Sequence, residues 1–516
     1  MPRFAAIDVG SNALRLRVVE CTGPNPEQRR EVATERAAVR LGRDVFLTGR
    51  LAPAALIEAV DALRGFRETL RTHNVDAWRA VATSAVREAA NAEVLVERAE
   101  REAGLKLEII EGVEEARLVL VAVTHALALG ARRSLLVDIG GGSVELTALE
   151  GNALRSCVSL PMGTVRLHEA FLDPDGPVTA ERQALLQEYL ERFLHEAAPL
   201  RGPRPDLVVA TGGNAEVLSQ LCPRSTADGP GVDVGRMHAL LEELSKLSPK
   251  ARRERHNLRG DRADVLVPAL YVLGALSASL GLEELVTPQV GLKEGILAEL
   301  ADRAFRVWDQ RGEDEAIHAT ALELGRRYRF DEAHGRQVSR LATLLFDQLA
   351  EALHLSPEDR STLQLAALLH DIGDFVGYDA HHKHTWYLIT HADLMGLSPN
   401  RKELVANVAR YHRRALPDLS HPAYRKLDRK DRAVVRKLSA ILRVADAFDR
   451  EHQGKVEDLA VRLLPARVSL RATGAGDLSL ERWTAQRKCD LLEDVLEREV
   501  KVDGAEGVTP RKTFSG

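Results

Sequence analysis

The sequence predicts an α/β protein whose first 305 residues contain a duplicated domain, followed by an all-α domain and a small α+β domain. Three observations predict this organisation. A strand–turn–strand pattern occurs twice at an offset of 130 residues, residues 318 to 455 are helical in pattern and rich in histidine, and alternating apolar residues return from about 456. A chain of 516 residues is also longer than a single hydrophobic core usually supports, so three or four domains are expected.

The repeated pattern is AIDVGSNALRL at 6 to 16 and LVDIGGGSVEL at 136 to 146. In both copies an apolar run ends in Asp-x-Gly, turns through small residues and resumes with alternating apolar positions, which is typical of a β-hairpin. Two such hairpins predict a duplicated α/β domain. A chance match between two common strand–turn strings is the alternative.

Helical patterns follow the hairpins, at 53 to 72, 85 to 103 and 114 to 129. A third glycine turn, VVATGGNAEVLS at 208 to 219, leaves an apolar run and enters a helix. Because the N-terminus of a helix presents free N–H groups, this turn favours an anion.

Later boundaries are indicated by changes in composition. The charged stretch from 303 to 315 predicts a linker or a domain boundary. Residues 456 to 473 alternate as strands, and 480 to 500 has the pattern of one helix. The predicted domains are therefore 1–127, 128–305, 306–455 and 456–516.

Composition excludes several classes of protein. The net charge of −5 argues against nonspecific nucleic-acid binding, although a local basic groove for a polyanion stays open. The four cysteines are scattered without a CxxC pair, which suits a reducing compartment. No signal peptide and no apolar stretch approaching the roughly 18 residues of a membrane span are expected. We therefore expect a cytoplasmic protein with neither a nucleic-acid nor a membrane partner.

The glycine turns match neither known phosphate-binding fingerprint. GxxxxGK[ST] is absent, and GGGSVE fails GxGxxG because Glu145 replaces the third glycine. A turn whose bare backbone approaches an anion remains, with successive N–H groups as the binding surface. Asp8, Asp138 and Glu145 next to such a turn would hold Mg²⁺ or Mn²⁺, hard cations that prefer carboxylates and phosphate oxygens.

The motif series resembles a known family. AIDVGSNALRL, VATSAVREAAN, EIIEGVEEARL, VDIGGGSVEL, LPMGTVRLHEAF and the ATGGN turn are similar, in this order over roughly residues 3 to 300, to the exopolyphosphatase / guanosine pentaphosphate phosphohydrolase (Ppx/GppA) family. That family belongs to the actin, sugar kinase and Hsp70 superfamily. The resemblance implies two ribonuclease H-like (actin-like ATPase) domains at 1–127 and 128–305, with hydrolysis of a terminal phosphoanhydride in the cleft between them.

The resemblance also implies roles for individual residues. Glu115 matches the catalytic glutamate, which would orient or deprotonate water, and Arg87 matches a phosphate-contacting arginine. Asp138, Glu145 and Asp8 would hold the metal ion. The other implied phosphate-binding residues are Gly10, Ser11, Asn12, Arg15, Gly140, Gly141, Gly142, Ser143, Gly212, Gly213 and Asn214.

Alternatives to these roles stay open. Glu114, Glu115 and Arg117 have the pattern of a solvated helix start, Arg87 that of an exposed helix residue, and Glu114 is the nearest alternative base. Two departures from the family pattern concern contacts to phosphate. Asn214 stands where many relatives have Gly-Thr, and Lys293 replaces an arginine, which keeps the charge but loses the bidentate geometry.

Residues 318 to 455 contain an ordered series of histidines and aspartates that resembles HD-type phosphohydrolases. His334, His370, Asp371 and Asp446 are therefore a candidate second metal site for one or two divalent ions. Further histidines occur in HHKHTWYLI and ARYHRR. The alternative is a domain that serves dimerisation and forms a substrate-channel wall, with its histidines satisfied in the core.

The leading prediction is a Mg²⁺-dependent exopolyphosphatase, because a helical domain adds surface for a polymeric anion. A pppGpp 5'-phosphohydrolase is the first alternative. A non-catalytic sensing scaffold for nucleotide or polyphosphate is the second, and a small-molecule kinase is disfavoured because no acceptor-specific motif is recognisable. We expect a homodimer with inorganic polyphosphate or pppGpp as substrate.

Overall fold

The computed structural model describes residues 1–151, 153–305, 310–377, 380–392, 394 and 396–504. The chain divides into two compact units, which we call the N-terminal unit (Met1–Gln310) and the C-terminal unit (Arg311–Gly516). The first four residues of the predicted domain 306–455, and residues 505–516 of the predicted domain 456–516, lie outside the described residues.

The N-terminal unit begins with a five-stranded sheet of order β3-β2-β1-β4-β5. Strands β1, β2 and β3 are antiparallel, whereas β4 and β5 continue parallel to β1. The strands are β1 (Arg3–Val9), β2 (Leu14–Cys21), β3 (Arg29–Ala37), β4 (Ala77–Ala82) and β5 (Leu107–Ile109). The helices are α1 (Leu41–Thr48), α2 (Pro53–Thr72), α3 (Ser84–Glu88), α4 (Ala92–Ala103) and α5 (Gly112–Ala126).

A second sheet in the N-terminal unit has seven strands in the order β10-β11-β12-β9-β6-β7-β8. Its strands are β6 (Arg133–Ile139), β7 (Val144–Glu150), β8 (Ala153–Leu160), β9 (Leu207–Thr211), β10 (Pro223–Thr226), β11 (Gly229–Asp233) and β12 (Glu284–Val286). The helices are α6 (Thr164–Phe171), α7 (Ala180–Glu196), α8 (Gly213–Leu221), α9 (Val234–Ser245), α10 (Pro249–His256), α11 (Gly260–Leu280) and α12 (Leu292–Ala304).

The two sheets share one topology. Strands β8-β7-β6-β9-β12 repeat the order and directions of β3-β2-β1-β4-β5. The hairpin turns are equivalent too, since Gly10 N–H donates to Ala13 O at 3.2 Å and Gly140 N–H donates to Ser143 O at 3.0 Å. The predicted duplication is confirmed, and the chance-match alternative is wrong.

Helix boundaries differ from the sequence predictions where tertiary contacts intervene. Helix α2 has the predicted bounds, because Pro53 starts it and its apolar residues bury one face. The single helix predicted at 85 to 103 is wrong, because two helices flank Asn91. The Asn91 side chain accepts from Leu51 N–H at 2.8 Å and donates to Leu51 O at 3.0 Å, which holds the chain out of a helix there. The helix predicted at 114 to 129 is α5.

Helix α11 corrects the expectation about apolar stretches. Its segment Arg262–Leu280 has a mean hydropathy of 1.7 and is long and apolar enough to cross a membrane by length and composition. In the structure 72% of this stretch is buried, with Leu266, Leu270 and Leu273 in the core beneath the second sheet. A core helix of this kind passes the same compositional test as a membrane span.

Helix α12 follows the second sheet in sequence but packs against α5 and β1. Gly295 permits the close approach, because a β-carbon there would lie 1.9 Å from Leu118 O on α5. This packing brings the first turn of α12, with Lys293, to the ends of the hairpins.

The C-terminal unit consists of helices and a three-stranded sheet of order β13-β14-β15 that share one hydrophobic core. Its helices are α13 (Gln310–Arg327), α14 (Glu332–Leu349), α15 (Pro357–Leu369), α16 (His381–Thr390), α17 (Pro399–Arg410), α18 (Pro422–Lys426), α19 (Arg429–Ala447), α20 (Ser479–Gln486) and α21 (Asp490–Leu496). Its strands are β13 (Val456–Leu463), β14 (Arg467–Gly474) and β15 (Glu499–Val502).

Two predictions in this region agree with the structure only in part. The stretch from 303 to 315, predicted as a linker or boundary, contains the division between the two units after Gln310. It also overlaps the end of α12 and the start of α13, and residues 306–309 lie outside the described part. The helix predicted at 480 to 500 is two helices and the start of a strand. Whether the helices are of the HD type stays a prediction.

Candidate functional site

The two hairpin turns of the N-terminal unit meet at one cleft. A β-carbon at Gly141 would lie 2.9 Å from Ser11 Cβ and 3.5 Å from Asn12 N, so only glycine lets the second turn approach the first this closely. The predicted phosphate-binding residues that line the cleft are Gly10, Ser11, Asn12, Arg15, Gly140, Gly141, Gly212, Gly213 and Asn214. The sequence pattern thus identified the backbone that surrounds the cleft.

Three buried carboxylates converge beside this cleft, and two of them, Glu115 and Asp138, line it. Glu115, Asp138 and Glu145 each offer an oxygen, and these oxygens lie within 4.8 Å of one another. Asp138 is the penultimate residue of β6, and Glu145 lies opposite it in the β6–β7 register. The first turn of α5 supplies Glu115. The hairpin and the helix therefore assemble the acids from separate parts of the chain.

The hydrogen bonds of these acids leave some carboxylate oxygens without a donor. Thr211 Oγ1 donates to Asp138 Oδ1 at 2.6 Å, and Ser159 Oγ donates to Glu145 Oε1 at 2.7 Å. Glu115 Oε2 and Glu145 Oε2 are buried without a hydrogen-bond partner among the described residues. Buried carboxylate oxygens that lie this close together and lack a hydrogen-bond donor fit a divalent cation.

Burial and mutual repulsion perturb all three acids. Burial raises the pKa of Glu115 well above its usual value, and the nearby Glu145 charge raises it further. Burial, with the Asp138 charge, raises the pKa of Glu145 to about 7. Burial raises the pKa of Asp138 to about 6, although the bond from Thr211 opposes this change. A bound proton or cation would therefore reduce the electrostatic repulsion among these three acids.

The structure distinguishes Glu115 from its neighbour Glu114. Glu114 Oε2 accepts from Arg117 Nε at 2.7 Å, and Glu114 Oε1 accepts from Arg79 Nη2 at 3.1 Å. Both arginines also bond Glu299, so Glu114 belongs to a network that ties α5 to α12. Glu115 is only 6% exposed, and the interpretation of this helix start as solvated is wrong.

Arg87 and Asp8 lie beside the acid cluster rather than inside it. Arg87 Nη1 donates to Ile110 O at 2.6 Å and lies 3.9 Å from Glu115 Oε2, so Arg87 is not an exposed helix residue. Asp8 Oδ2 lies 3.9 Å from Arg15 Nη1, and burial raises the pKa of Asp8. Asp8 lines the cleft, whereas Arg87 is not among the described residues that do.

Gly142 and Ser143 occupy a different environment from the other turn residues. A β-carbon at Gly142 would lie 2.3 Å from Ser84 Oγ and 2.4 Å from Phe46 Cζ, so Gly142 packs against α1 and α3. Ser143 is buried and closes the turn through its carbonyl. Neither is among the described residues that line the cleft. Their contact with phosphate stays a prediction.

Two cations of the cleft were missed or left out of the predicted set. Arg262, on α11, donates from Nη1 to Asn214 Oδ1 at 3.2 Å, and Asn214 Nδ2 donates to Thr164 Oγ1 at 3.3 Å. Lys293 enters from α12. The GLKEGIL motif was a signal for Lys293, whereas no local pattern distinguishes Arg262 from other arginines at helix starts.

The predicted second metal site comes together in the C-terminal unit. His334 Nε2 and His370 Nε2 lie 3.6 and 3.5 Å from Asp446 Oδ1, and His370 Nε2 lies 3.4 Å from Asp371 Oδ2. These residues come from α14, the end of α15 and α19. The structure therefore brings together all four residues that the sequence pattern selected.

Comparison with known proteins identifies the family. A model described as the Ppx/GppA phosphatase family matches residues 26–304, more than half of the chain. The chain belongs to the Ppx/GppA phosphatase family. A second model, Ppx/GppA phosphatase, domain III, matches residues 318–499. The actin-like α/β fold that the resemblance implied for the N-terminal unit is confirmed.

Similar Ppx/GppA proteins include two named guanosine-5'-triphosphate,3'-diphosphate pyrophosphatase. That of Aeromonas hydrophila is 30% identical over 410 residues, 78% of this chain and 79% of the relative. That of Vibrio vulnificus is 27% identical over 423 residues, 81% of this chain and 82% of the relative.

Solved structures similar to this Ppx/GppA chain match a smaller share of it. An exopolyphosphatase from Cytophaga hutchinsonii is 25% identical with a TM-score of 0.53, over 58% of this chain and 98% of that one. The Aquifex aeolicus family member is 26% identical with a TM-score of 0.50, over 59% of this chain and 98% of that one.

Proposed function

We propose that the protein hydrolyses the terminal phosphoanhydride of pppGpp, releasing orthophosphate and ppGpp. The observation that carries the hydrolase assignment is the buried cluster of Glu115, Asp138 and Glu145 beside two glycine turns. The choice of pppGpp is supported by the relatives named above, whose similarity extends over about four fifths of this chain. The sequence pattern ranked polyphosphate first, and the comparisons favour its alternative.

Asp138 and Glu145 are the residues proposed to hold Mg²⁺ or Mn²⁺, with Asp8 nearby, because their buried carboxylate oxygens converge. When bound, such an ion supplies charge neutralisation to the oxygens of the transferred phosphoryl group. The N–H groups of the turns and the first turn of α8 would bind the phosphates. Arg15, Arg262 and Lys293 add positive charge along the cleft.

Glu115 is proposed as the base. Its Oε2 would accept a proton from a water molecule as the water oxygen forms a bond to the terminal phosphorus. The bond from that phosphorus to the bridging oxygen breaks, and the bridging oxygen leaves with ppGpp. A glutamate whose pKa is raised by burial holds this proton better than an exposed one.

Phosphate release from pppGpp by Glu115→Gln tests this proposal. Removal of the base should lower kcat by about 10²- to 10⁴-fold with little change in KM. Glu111→Gln is the matched control, since Glu111 precedes the same helix and its side chain is 48% exposed. Full phosphate release by Glu115→Gln would contradict Glu115 as the base. Binding of pppGpp without phosphate release by the wild type would favour a sensing scaffold that binds nucleotide or polyphosphate.

Inorganic polyphosphate is the second candidate substrate, because the similar Cytophaga hutchinsonii structure is an exopolyphosphatase. Rates measured side by side on pppGpp, long polyphosphate and short polyphosphate, with Mg²⁺, distinguish the two. We expect the higher kcat/KM on pppGpp, and a higher value on long polyphosphate would reverse the assignment. Cytoplasmic location and a homodimer stay proposals, which fractionation and light scattering would test.

A further inference from the structure

In the C-terminal unit, the two oxygens of one carboxylate face two different pairs of imidazoles. Asp371 Oδ2 lies 3.4 Å from His370 Nε2 and 3.8 Å from His334 Nε2. Asp371 Oδ1 lies 3.3 Å from His381 Nε2 and 3.3 Å from His412 Nε2. Asp371 therefore lies between two sets of nitrogen donors.

Both sets have the dimensions of a metal-binding group. Donor atoms of His334, His370 and Asp446 lie within 4.8 Å of one another. Donor atoms of Asp371, His381 and His412 satisfy the same limit. The second set includes two histidines that the sequence pattern had not assigned to a site.

In two of the four imidazoles, the second ring nitrogen, Nδ1, lies within hydrogen-bond distance of a backbone carbonyl oxygen. His370 Nδ1 lies 2.7 Å from Ala367 O, and His412 Nδ1 lies 2.7 Å from Ala409 O. Because a carbonyl only accepts, each Nδ1 carries the proton, and a neutral ring then presents a lone pair at Nε2.

The other two imidazoles are oriented by carboxylates. His334 Nδ1 lies 2.8 Å from Asp449 Oδ2, and His381 Nδ1 lies 3.0 Å from Asp374 Oδ1. Histidine ligands of metals commonly donate their second ring N–H to a carboxylate or a carbonyl in this way. All four rings thus direct Nε2 towards Asp371.

Simple ion pairing does not account for the spacing. Among the described residues His334 Nε2, His370 Nε2 and Asp371 Oδ1 are buried without a hydrogen-bond partner. Nitrogen and oxygen atoms on a shared metal ion are each about 2.0 to 2.2 Å from it, which places them about 3 Å apart. The observed separations of 3.3 to 3.8 Å are close to that spacing and too long for strong charge-assisted hydrogen bonds.

We propose that the C-terminal unit holds two divalent transition-metal ions that share Asp371. His334, His370 and Asp446 complete one position, and His381 and His412 complete the other. Mixed imidazole and carboxylate donors suit Mn²⁺, Fe²⁺ or Zn²⁺, whereas the all-carboxylate cluster of the N-terminal unit suits Mg²⁺. The site is thus chemically distinct from the proposed hydrolytic site.

The open face of this centre favours an anionic ligand. The side chains of Asp371 and Asp446 are 22% and 21% exposed, whereas those of His334 and His370 are 1% exposed, so solvent reaches the centre beside the carboxylates. The ammonium group of Lys488 interacts electrostatically with Arg443, Asp446, Asp490 and Arg413. A phosphate group is the ligand class that we assign to this solvent-accessible side, because bound metal ions would supply positive charge there.

Metal content of the purified full-length protein tests the proposal, after growth with Mn, Fe and Zn and removal of loosely bound ions. We expect about two transition-metal ions per chain, about one in His381→Ala or His334→Ala, and almost none in Asp371→Ala. His391→Ala is the matched control, because this exposed histidine follows the helix that carries His381. Glu145→Gln should also retain both ions.

An electron paramagnetic resonance spectrum of the Mn²⁺-loaded wild type makes the test independent of variant folding. An exchange-coupled pair is expected, and His381→Ala should give the spectrum of an isolated ion. Wild-type protein with less than about half an ion per chain, or an uncoupled spectrum at full loading, would overturn the metal pair. Inorganic phosphate should alter the coupled spectrum, and an unchanged spectrum would overturn the anionic ligand.

Discussion

At the scale of single residues, the acids of the cleft couple cation binding to pH. The pKa values of about 6 for Asp138 and about 7 for Glu145 lie above those of unfolded carboxyls. The metal-free folded state therefore binds protons more tightly than the unfolded state. This stabilising contribution is complete below about pH 4 and is lost as the pH rises through 6 and 7.

Mg²⁺ competes with those protons, so its stabilising effect should increase with pH. We expect saturating Mg²⁺ to raise Tm by only about 1 °C near pH 5 and by several degrees near pH 8. Thermal melting at both pH values, with and without the ion, measures this difference. Glu145→Gln should remove most of the pH dependence, and an equal Mg²⁺ effect at both pH values in the wild type would contradict the cation site.

Thr211 is expected to position a metal ligand. Thr211→Val keeps the shape of the side chain but removes the donor to Asp138 Oδ1, so the carboxylate loses its orientation. We expect apparent Mg²⁺ affinity to weaken about tenfold, measured from the Mg²⁺ dependence of phosphate release. Thr147→Val is the control, because the equally buried Thr147 bonds Cys157 Sγ instead. Equal effects of the two substitutions would show that Thr211 acts through stability alone.

At the scale of secondary-structure elements, two helical glycines should respond in opposite directions to alanine. Gly65 lies on α2 with open space around it, so Gly65→Ala should stabilise the protein by about 0.5 to 1 kcal/mol. Gly295 lies on α12, where a β-carbon would meet Leu118 O, so Gly295→Ala should destabilise by about 3 kcal/mol. Chemical denaturation measures both values.

Gly295→Ala should also affect catalysis, since α12 carries Lys293 into the cleft. We expect a raised KM for the phosphate substrate at a temperature where the variant is fully folded. Gly65→Ala should leave KM unchanged. A Gly295→Ala variant as stable and active as the wild type would show that α12 packs less tightly on α5 than the structure indicates.

The elements also show what the sequence could predict. Asp8 and Asp138 were found because each hairpin is encoded by contiguous residues whose turn chemistry and periodicity are local. Arg262 and Lys293 reach the cleft because their helices pack near the two hairpin turns, which precede them by more than 100 residues in the sequence. His381 and His412 were visible as histidines, but their approach to the same oxygen of Asp371 depends on how α16 and the end of α17 pack. Such contacts follow from tertiary packing, which no local pattern encodes.

At the scale of the whole molecule, the cores of the two units contain different residues. The core of the C-terminal unit includes Leu345 and Ile441, and the described residues of the two other cores all lie before residue 286. The Glu115–Asp138–Glu145 cluster also lies entirely in the N-terminal unit. Separate cores and separate ligands predict two unfolding transitions rather than one.

Differential scanning calorimetry can assign those transitions. Mg²⁺ at about 100 times its Kd should stabilise the N-terminal unit by about 2.7 kcal/mol and raise only its transition, because ligand linkage acts on the unit that binds. Glu145→Gln should abolish that shift. Leu345→Ala, which removes a fully buried side chain, should destabilise only the other unit, by about 2 to 5 kcal/mol, and lower only its transition. A single transition that responds to both Mg²⁺ and Leu345→Ala would show instead that the units unfold together.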